Sequence, residues 1–324
     1  MFIKYDDASV RLTGRWNKTK DFAEATAPGS SVELAFSGEL AVLHFDMIWN
    51  EHPYPHLWIS VDGGAKVEAP MSPFLRVEPS AAGTHTVKVI YKGAAEMQHR
   101  WYSPLVGKIS FKGYEAEKAG VLPENNKKTI EFVGDSITEG VLIDESYKVS
   151  PLNHLNRPYQ DDVTATYAYL TAKNLNLEPI FMGYGAVGAT KSGCSSVPRA
   201  SDAYPYCYSG APISHPSADF ILINHGANDR AASPQQYLAC YQELLDVIIR
   251  MNPKSRIISL SAFCGAFNSE LEAFITEYNR ENQTGILFIS SKGWVPAEPL
   301  HPLRDGHKII AGHLTKILKK QFNL

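Results

Sequence analysis

Nowhere in these 324 residues does an apolar run reach the roughly 20 positions that span a bilayer, so a membrane helix is not expected. A secretory leader is not expected either: MFIKYDDASVRLTG carries two aspartates where such a leader needs an unbroken apolar stretch, and a cytoplasmic location is the expectation. Cysteine is scarce. Four of them (Cys194, Cys207, Cys240, Cys264) are too few and too irregularly spaced for a disulfide framework or a paired CxxC metal site. Cys194 and Cys207 lie close enough to bridge a loop, but four free thiols are the plainer expectation. Charge of one sign is lacking as well. A formal net charge of −3, with no basic cluster, leaves no footprint for nucleic acid. No internal repeat or low-complexity tract occurs, and no spacing calls for a metal or cofactor.

What remains is the composition of an ordinary folded protein, 44% hydrophobic and 20% charged. The length favours two domains over one. Residues 1–118 read as short strands between Gly, Pro and Asp turns: Ser31–Phe36, Leu40–Met47, His56–Val61 and Thr84–Tyr91. Apolar and polar residues alternate at period two in SVELAF and HTVKVIYK, as half-buried antiparallel strands require, and the Asp-Gly of VDGG (61–64) suits a hairpin turn. An all-β sandwich or jelly roll is expected here. AEKAGVLPENNKK is polar, and within it 119–128 reads as a linker.

From 129 to 324 the pattern changes to apolar strand-like runs, TIEFVG, EPIFMGY, ADFILINHG, SRIISLSA and GILFIS. Between them, helical spacing covers Ala165–Asn174, Pro234–Met251 and Ser269–Glu281. This alternation predicts a mostly parallel sheet covered on both faces, with chemistry at the carboxyl ends of its strands.

Ser136, in IEFVGDSITEG, stands at a strand-to-helix junction where a hydroxyl can face a cleft and neighbouring N–H groups can meet developing negative charge. A plain helix cap would use the same residues. The strand ADFILIN ends in HGANDR, and the Asn228 amide could donate to an oxyanion. EPIFMGYGAVGAT ends in glycines, of which Gly188 could offer a backbone N–H, with Gly185 as competitor. His301, before a last helix, is the candidate base, since an imidazole can take and return a proton near neutral pH. His307 and His313 fall inside that helix, where a first-turn or surface role is expected, and Asp305 reads as its N-cap.

Gly-Asp-Ser-Ile (134–137), Gly188, Gly-Ala-Asn-Asp (226–229) and His-Pro (301–302) resemble, in order and spacing, the four blocks of the SGNH (GDSL-like) hydrolase superfamily, over about 129 to 324. The resemblance implies a three-layer αβα, flavodoxin-like domain. It also implies Ser136 as nucleophile, His301 as base, and an oxyanion hole of the Ser136 N–H, the Gly188 N–H and Asn228. Relatives usually carry an Asp three residues before the His, where this chain has Glu298; a Ser-His dyad oriented by a backbone carbonyl is the other possibility. In the first half, LTGRW, the VDGG turn, GTHTVKVIYK and Glu96 resemble the jelly-roll domain of family two carbohydrate esterases. That likeness implies hydrolysis of acetyl esters on a small or oligosaccharide substrate. Asp135 and Trp294 are candidate substrate contacts, and Trp294, Tyr204, Tyr206 and Tyr208 could offer ring faces to a sugar, with core or loop packing as the alternative for each. A lipid esterase, a thioesterase or an inactive sugar-binding protein are the competing readings. Oligomeric state is left open.

Overall fold

The computed structural model describes residues 1–144, 157–213 and 217–324. In the first part, ten strands between Phe2 and Ala119 pair antiparallel into one network. The expected strands at 31–36 and 40–47 are one strand, Ser31–Phe45. It pairs with Gly83–Gly93 up to Gly38 and with Phe74–Val77 from Ala41 onward. Gly38, at φ 131, lets the chain bend there without leaving the sheet, which is why Ser37-Gly38 is not the turn its composition suggests. The VDGG turn forms as expected: Asp62 and Gly63 both have positive φ (50° and 70°), and the Gly64 N–H donates to the Val61 carbonyl at 2.8 Å. Val32, Leu34, Phe36, Leu43, Leu57, Val87 and Val89 fill a separate core, each buried side chain contributing about 1.5–3 kcal/mol.

The last strand of this network ends at Ala119, and the next strand begins at Thr129. From there five parallel strands follow: β1 (Thr129–Gly134), β2 (Glu178–Gly183), β3 (Phe220–Asn224), β4 (Arg256–Leu260) and β5 (Leu287–Ile289). Their order in the sheet is β2-β1-β3-β4-β5. Among the described residues the α-helices are α1 (Ser136–Glu139), α2 (Arg157–Gln160), α3 (Tyr167–Asn174), α4 (Ala200–Ala203), α5 (Pro234–Met251), α6 (Asn268–Asn282) and α7 (Arg304–Phe322).

Period-two alternation divides the sheet between two cores. Phe220 and Leu222 face α3 and α7, and Ile221 and Ile223 face α5 and α6. α5 begins where Ser233 accepts the Gln236 N–H at 3.2 Å and Pro234 occupies the first turn. α7 departs from expectation. Leu303 precedes it without a side-chain cap, while Asp305 sits exposed in the first turn, 2.8 Å from Lys308. All four cysteines are free. Among the described residues no helix is long and apolar enough to cross a membrane.

Two buried ion pairs join the antiparallel part to the parallel sheet. Arg15 Nη1 lies 2.5 Å from Glu131 Oε1 on β1, both side chains at 0% exposure. Arg100 Nη2 lies 2.6 Å from Glu139 Oε1 on α1, and these two are also almost wholly buried. Trp58 Nε1 donates to Asp162 at 3.0 Å, and Lys92 Nζ to the Pro158 carbonyl at 2.6 Å.

Candidate active site

β1 leaves the sheet between β2 and β3. Gly134 is in register with Gly183 of β2 and Asn224 of β3, so the segments after these three strands emerge at one edge. The chain runs from β1 to β2 on one side and returns to β3 on the other, which makes this edge a topological switch point. Asp135 caps α1 by accepting the Ile137 N–H at 2.9 Å, and Ser136 opens the helix.

The Ser136 Oγ lies 2.7 Å from His301 Nε2, across 165 residues of sequence. His301 is half-buried, and burial is the main influence on its imidazole, pulling its pKa below the ordinary value. Glu96 pushes it up and Arg157 down. A neutral ring is thereby favoured, the form that can accept a hydroxyl proton. His307 lies in the first turn of α7, as expected, and is buried there. Its Nδ1 accepts the Tyr167 N–H of α3 at 2.9 Å, which leaves the proton on Nε2 toward the Pro302 carbonyl. Burial drives its pKa down to about 3, so it stays neutral.

Asn228 ties the three edge segments together. Its Nδ2 donates to the Val187 carbonyl at 3.0 Å and to Asp135 Oδ2 at 3.2 Å. Asp135 was expected to touch substrate, but it is only 1% exposed. Its carboxylate is engaged by the helix cap and by Asn228, and burial pushes its pKa up to about 7.

Gly188 also departs from its expected role, because its N–H donates to the Lys191 carbonyl at 3.0 Å and is not free to meet an oxyanion. Glycine is required there for another reason: a Cβ would lie 2.4 Å from Asp229 Oδ1. Asp229 clamps this loop by accepting the Ala189 N–H (3.1 Å), the Thr190 N–H (2.8 Å) and the Thr190 hydroxyl (2.6 Å). The competing Gly185 directs its N–H at the Glu139 carboxylate.

Three further expectations are corrected. Glu298 does not reach the imidazole: its side chain is 74% exposed and faces Arg230 at 3.9 Å. One face of Trp294 is covered by His313, the two rings stacked at 4.8 Å and 15°, which removes that face from any sugar. Tyr204 is fully buried with its hydroxyl donating to Glu131 at 2.8 Å, and the Tyr208 hydroxyl accepts from Asn17 at 2.7 Å, so both serve packing. Arg157 and Asp229 were not singled out from sequence. The Asn-Asp pair at 228–229 was a usable signal for Asp229; nothing local marks Arg157.

No protein-family model matches the chain. It is 26% identical, over an alignment 356 positions long that covers 98% of its length, to the cellulase/esterase CelE of Acetivibrio thermocellus. The chain spans only 40% of that curated relative. A family two carbohydrate esterase from Clostridium thermocellum, solved in complex with cellohexaose, superposes with a TM-score of 0.77 at 22% identity, covering 97% of this chain and 99% of that one. The acetyl xylan esterase Est2A of Butyrivibrio proteoclasticus gives a TM-score of 0.80 at 16% identity, covering 100% and 99%. The chain therefore shares the fold of family two carbohydrate esterases along its whole length.

Proposed function

We propose that this chain is a serine esterase that removes small acyl groups, acetyl above all, from carbohydrate. The observation that carries the reading is the 2.7 Å contact between the Ser136 hydroxyl and His301 Nε2 at the switch point of the parallel sheet. In the proposed reaction His301 takes the hydroxyl proton as Ser136 Oγ attacks the ester carbonyl. The tetrahedral oxyanion forms against the Ser136 N–H and the Asn228 amide, each donor stabilising it by about 3 kcal/mol. His301 then returns the proton to the leaving sugar oxygen. Water, deprotonated by the same imidazole, cleaves the acyl-enzyme to release acetate.

Asn228 serves by turning its longer bond, the one to Asp135, toward the oxyanion as charge develops. Gly188 is left out of this scheme because its N–H is committed to Lys191. The ester class is supported by CelE, and the sugar class by a shared fold whose solved members include an acetyl xylan esterase and a carbohydrate esterase holding cellohexaose. The antiparallel first part corresponds in this reading to the jelly-roll domain of those proteins. A short acetylated oligosaccharide is the proposed substrate.

Hydrolysis of acetyl, butyryl and octanoyl 4-nitrophenyl esters, measured beside acetylated xylo-oligosaccharides and acetylated xylan, tests the proposal. Acetyl esters and oligosaccharides should be turned over fastest. Preference for octanoyl would favour a lipid esterase. Sugar binding without turnover of any ester would identify an inactive binder. Full activity on the polymer with none on oligosaccharides would overturn the substrate size.

A further inference from the structure

No side-chain cap holds the start of α7, although His301 stands only three residues before it. Among the described residues the His301 ring bonds the Ser136 hydroxyl, and no carboxylate takes its other nitrogen. Such a dyad depends on how firmly the loop that carries the imidazole is seated against the nucleophile segment, because a misplacement of about 1 Å can cost about 100-fold in rate. Arg304 supplies that seat. Its backbone N–H, one of the donors that a helix start leaves without an internal partner, goes to the Ile143 carbonyl at 3.1 Å. Its guanidinium forks onto Asp144, Nε to Oδ1 and Nη2 to Oδ2, both at 2.6 Å. Ile143 and Asp144 follow Ser136 on the same short segment, so base and nucleophile are tied a second time beside their own contact.

Asp162 carries the tie further. It is buried, and its Oδ2 lies 3.5 Å from Arg304 Nη2. Its N–H donates at 3.0 Å to the carbonyl of Gly140, the C-cap of α1, and a Cβ on Gly140 would lie 2.7 Å from the Asp162 carbonyl carbon. Glycine is what lets the two backbones meet. Its Oδ1 accepts the Trp58 indole N–H, and Lys66 Nζ, 4.0 Å from the centre of that ring, lies 3.8 Å from its Oδ2. The antiparallel part therefore braces the clamp from outside.

We propose that Arg304 is a positioning residue for the dyad, locking the loop of His301 onto the segment that carries Ser136. The inference rests on the reading of these two residues as base and nucleophile. The clamp does through the chain what a third carboxylate does directly for the imidazole of a triad. The Arg304 and Asp144 side chains are 42% and 36% exposed, so their pair adds little to global stability and its effect falls on geometry.

Arg304→Gln keeps the backbone bond to Ile143 and removes the fork, while Lys66 remains beside Asp162. For 4-nitrophenyl acetate kcat should fall about tenfold and KM should change less than about twofold, with the melting temperature almost unchanged. Arg304→Lys, which keeps the charge but cannot fork, should lie between the two. Asp144→Asn should lower kcat as well, and the double variant should be no slower than the slower single one, as befits two groups that act as a unit.

A second measurement does not depend on turnover. The order parameter of the His301 ring is read by NMR relaxation, its signal identified by its disappearance in His301→Gln. It should fall in Arg304→Gln and recover in part in Arg304→Lys. An unchanged ring order parameter, a kcat within twofold of the unsubstituted protein, or a rise in KM alone would overturn the proposal. Should Arg304→Gln not fold, Asp144→Asn, which leaves Arg304 in place, makes the same comparison. Hydrolysis persisting in Ser136→Ala would instead defeat the nucleophile assignment, and the ring mobility would still report whether Arg304 seats the loop.

Discussion

Ser136→Ala is expected to lower kcat/KM for 4-nitrophenyl acetate by roughly 10⁴-fold or more while leaving the melting temperature almost unchanged. The two halves of this result have separate causes. Activity goes because the acyl-enzyme has no oxygen on which to form, and the residual rate comes from binding and oxyanion contacts alone. Stability stays because, among the described residues, the hydroxyl bonds the half-buried imidazole, an interaction worth about 1 kcal/mol. The α1 cap belongs to the Asp135 carboxylate, which the substitution leaves intact. Parallel assays and thermal melts of the two proteins check both halves. Turnover within tenfold of the unsubstituted protein would remove Ser136 from the chemistry.

Arg100→Met should destabilise the fold strongly, costing roughly 3–5 kcal/mol. It strands the Glu139 carboxylate, 2% exposed on the helix that begins with Ser136, with its counter-ion gone. Burial already holds Glu139 above the ordinary carboxylate pKa, and Arg100 is the main influence opposing this. The variant should therefore lose activity as well as stability, because the nucleophile helix shifts when Glu139 takes up a proton or seeks water. Adding Glu139→Leu should recover most of the stability, since two apolar side chains in contact replace an ion pair without a stranded charge. Urea midpoints of the single and double variants measure this. A single variant within about 1 kcal/mol of the unsubstituted protein would mean that water reaches the pair.

Regular elements were readable because their periodicity is local. β1 and α5 begin and end where TIEFVG and the Ser-Pro start of PQQYLACYQELLDVIIRM place them. The serine, the imidazole and the amide were readable as residue types at strand or helix ends, and the fold brings the first two into contact. Side-chain direction in loops was not readable. Glu298 stands three positions before His301, but the 298–303 segment is not helical, so sequence spacing says nothing about which way a carboxylate points. Gly188 looked like an open N–H donor because a glycine in a strand-end loop suggests backbone exposure. Its actual constraint, the Asp229 carboxylate, lies 41 residues away. Glu96 and Arg157 belong to different halves of the chain, and only tertiary structure could pair them.

The sheet order has a bearing on how this protein fails under stress. β1 is flanked on both sides, so the hydroxyl sits at the end of an interior strand, whereas the imidazole rides on a segment that links edge strand β5 to the outermost helix of its face. Peripheral units open before central ones. In rising urea, hydrolysis should vanish before far-ultraviolet ellipticity does, and return at once on dilution, because the two partners of the dyad belong to parts of the molecule that let go at different denaturant strengths. Coincident loss of both signals would assign them to a single cooperative unit.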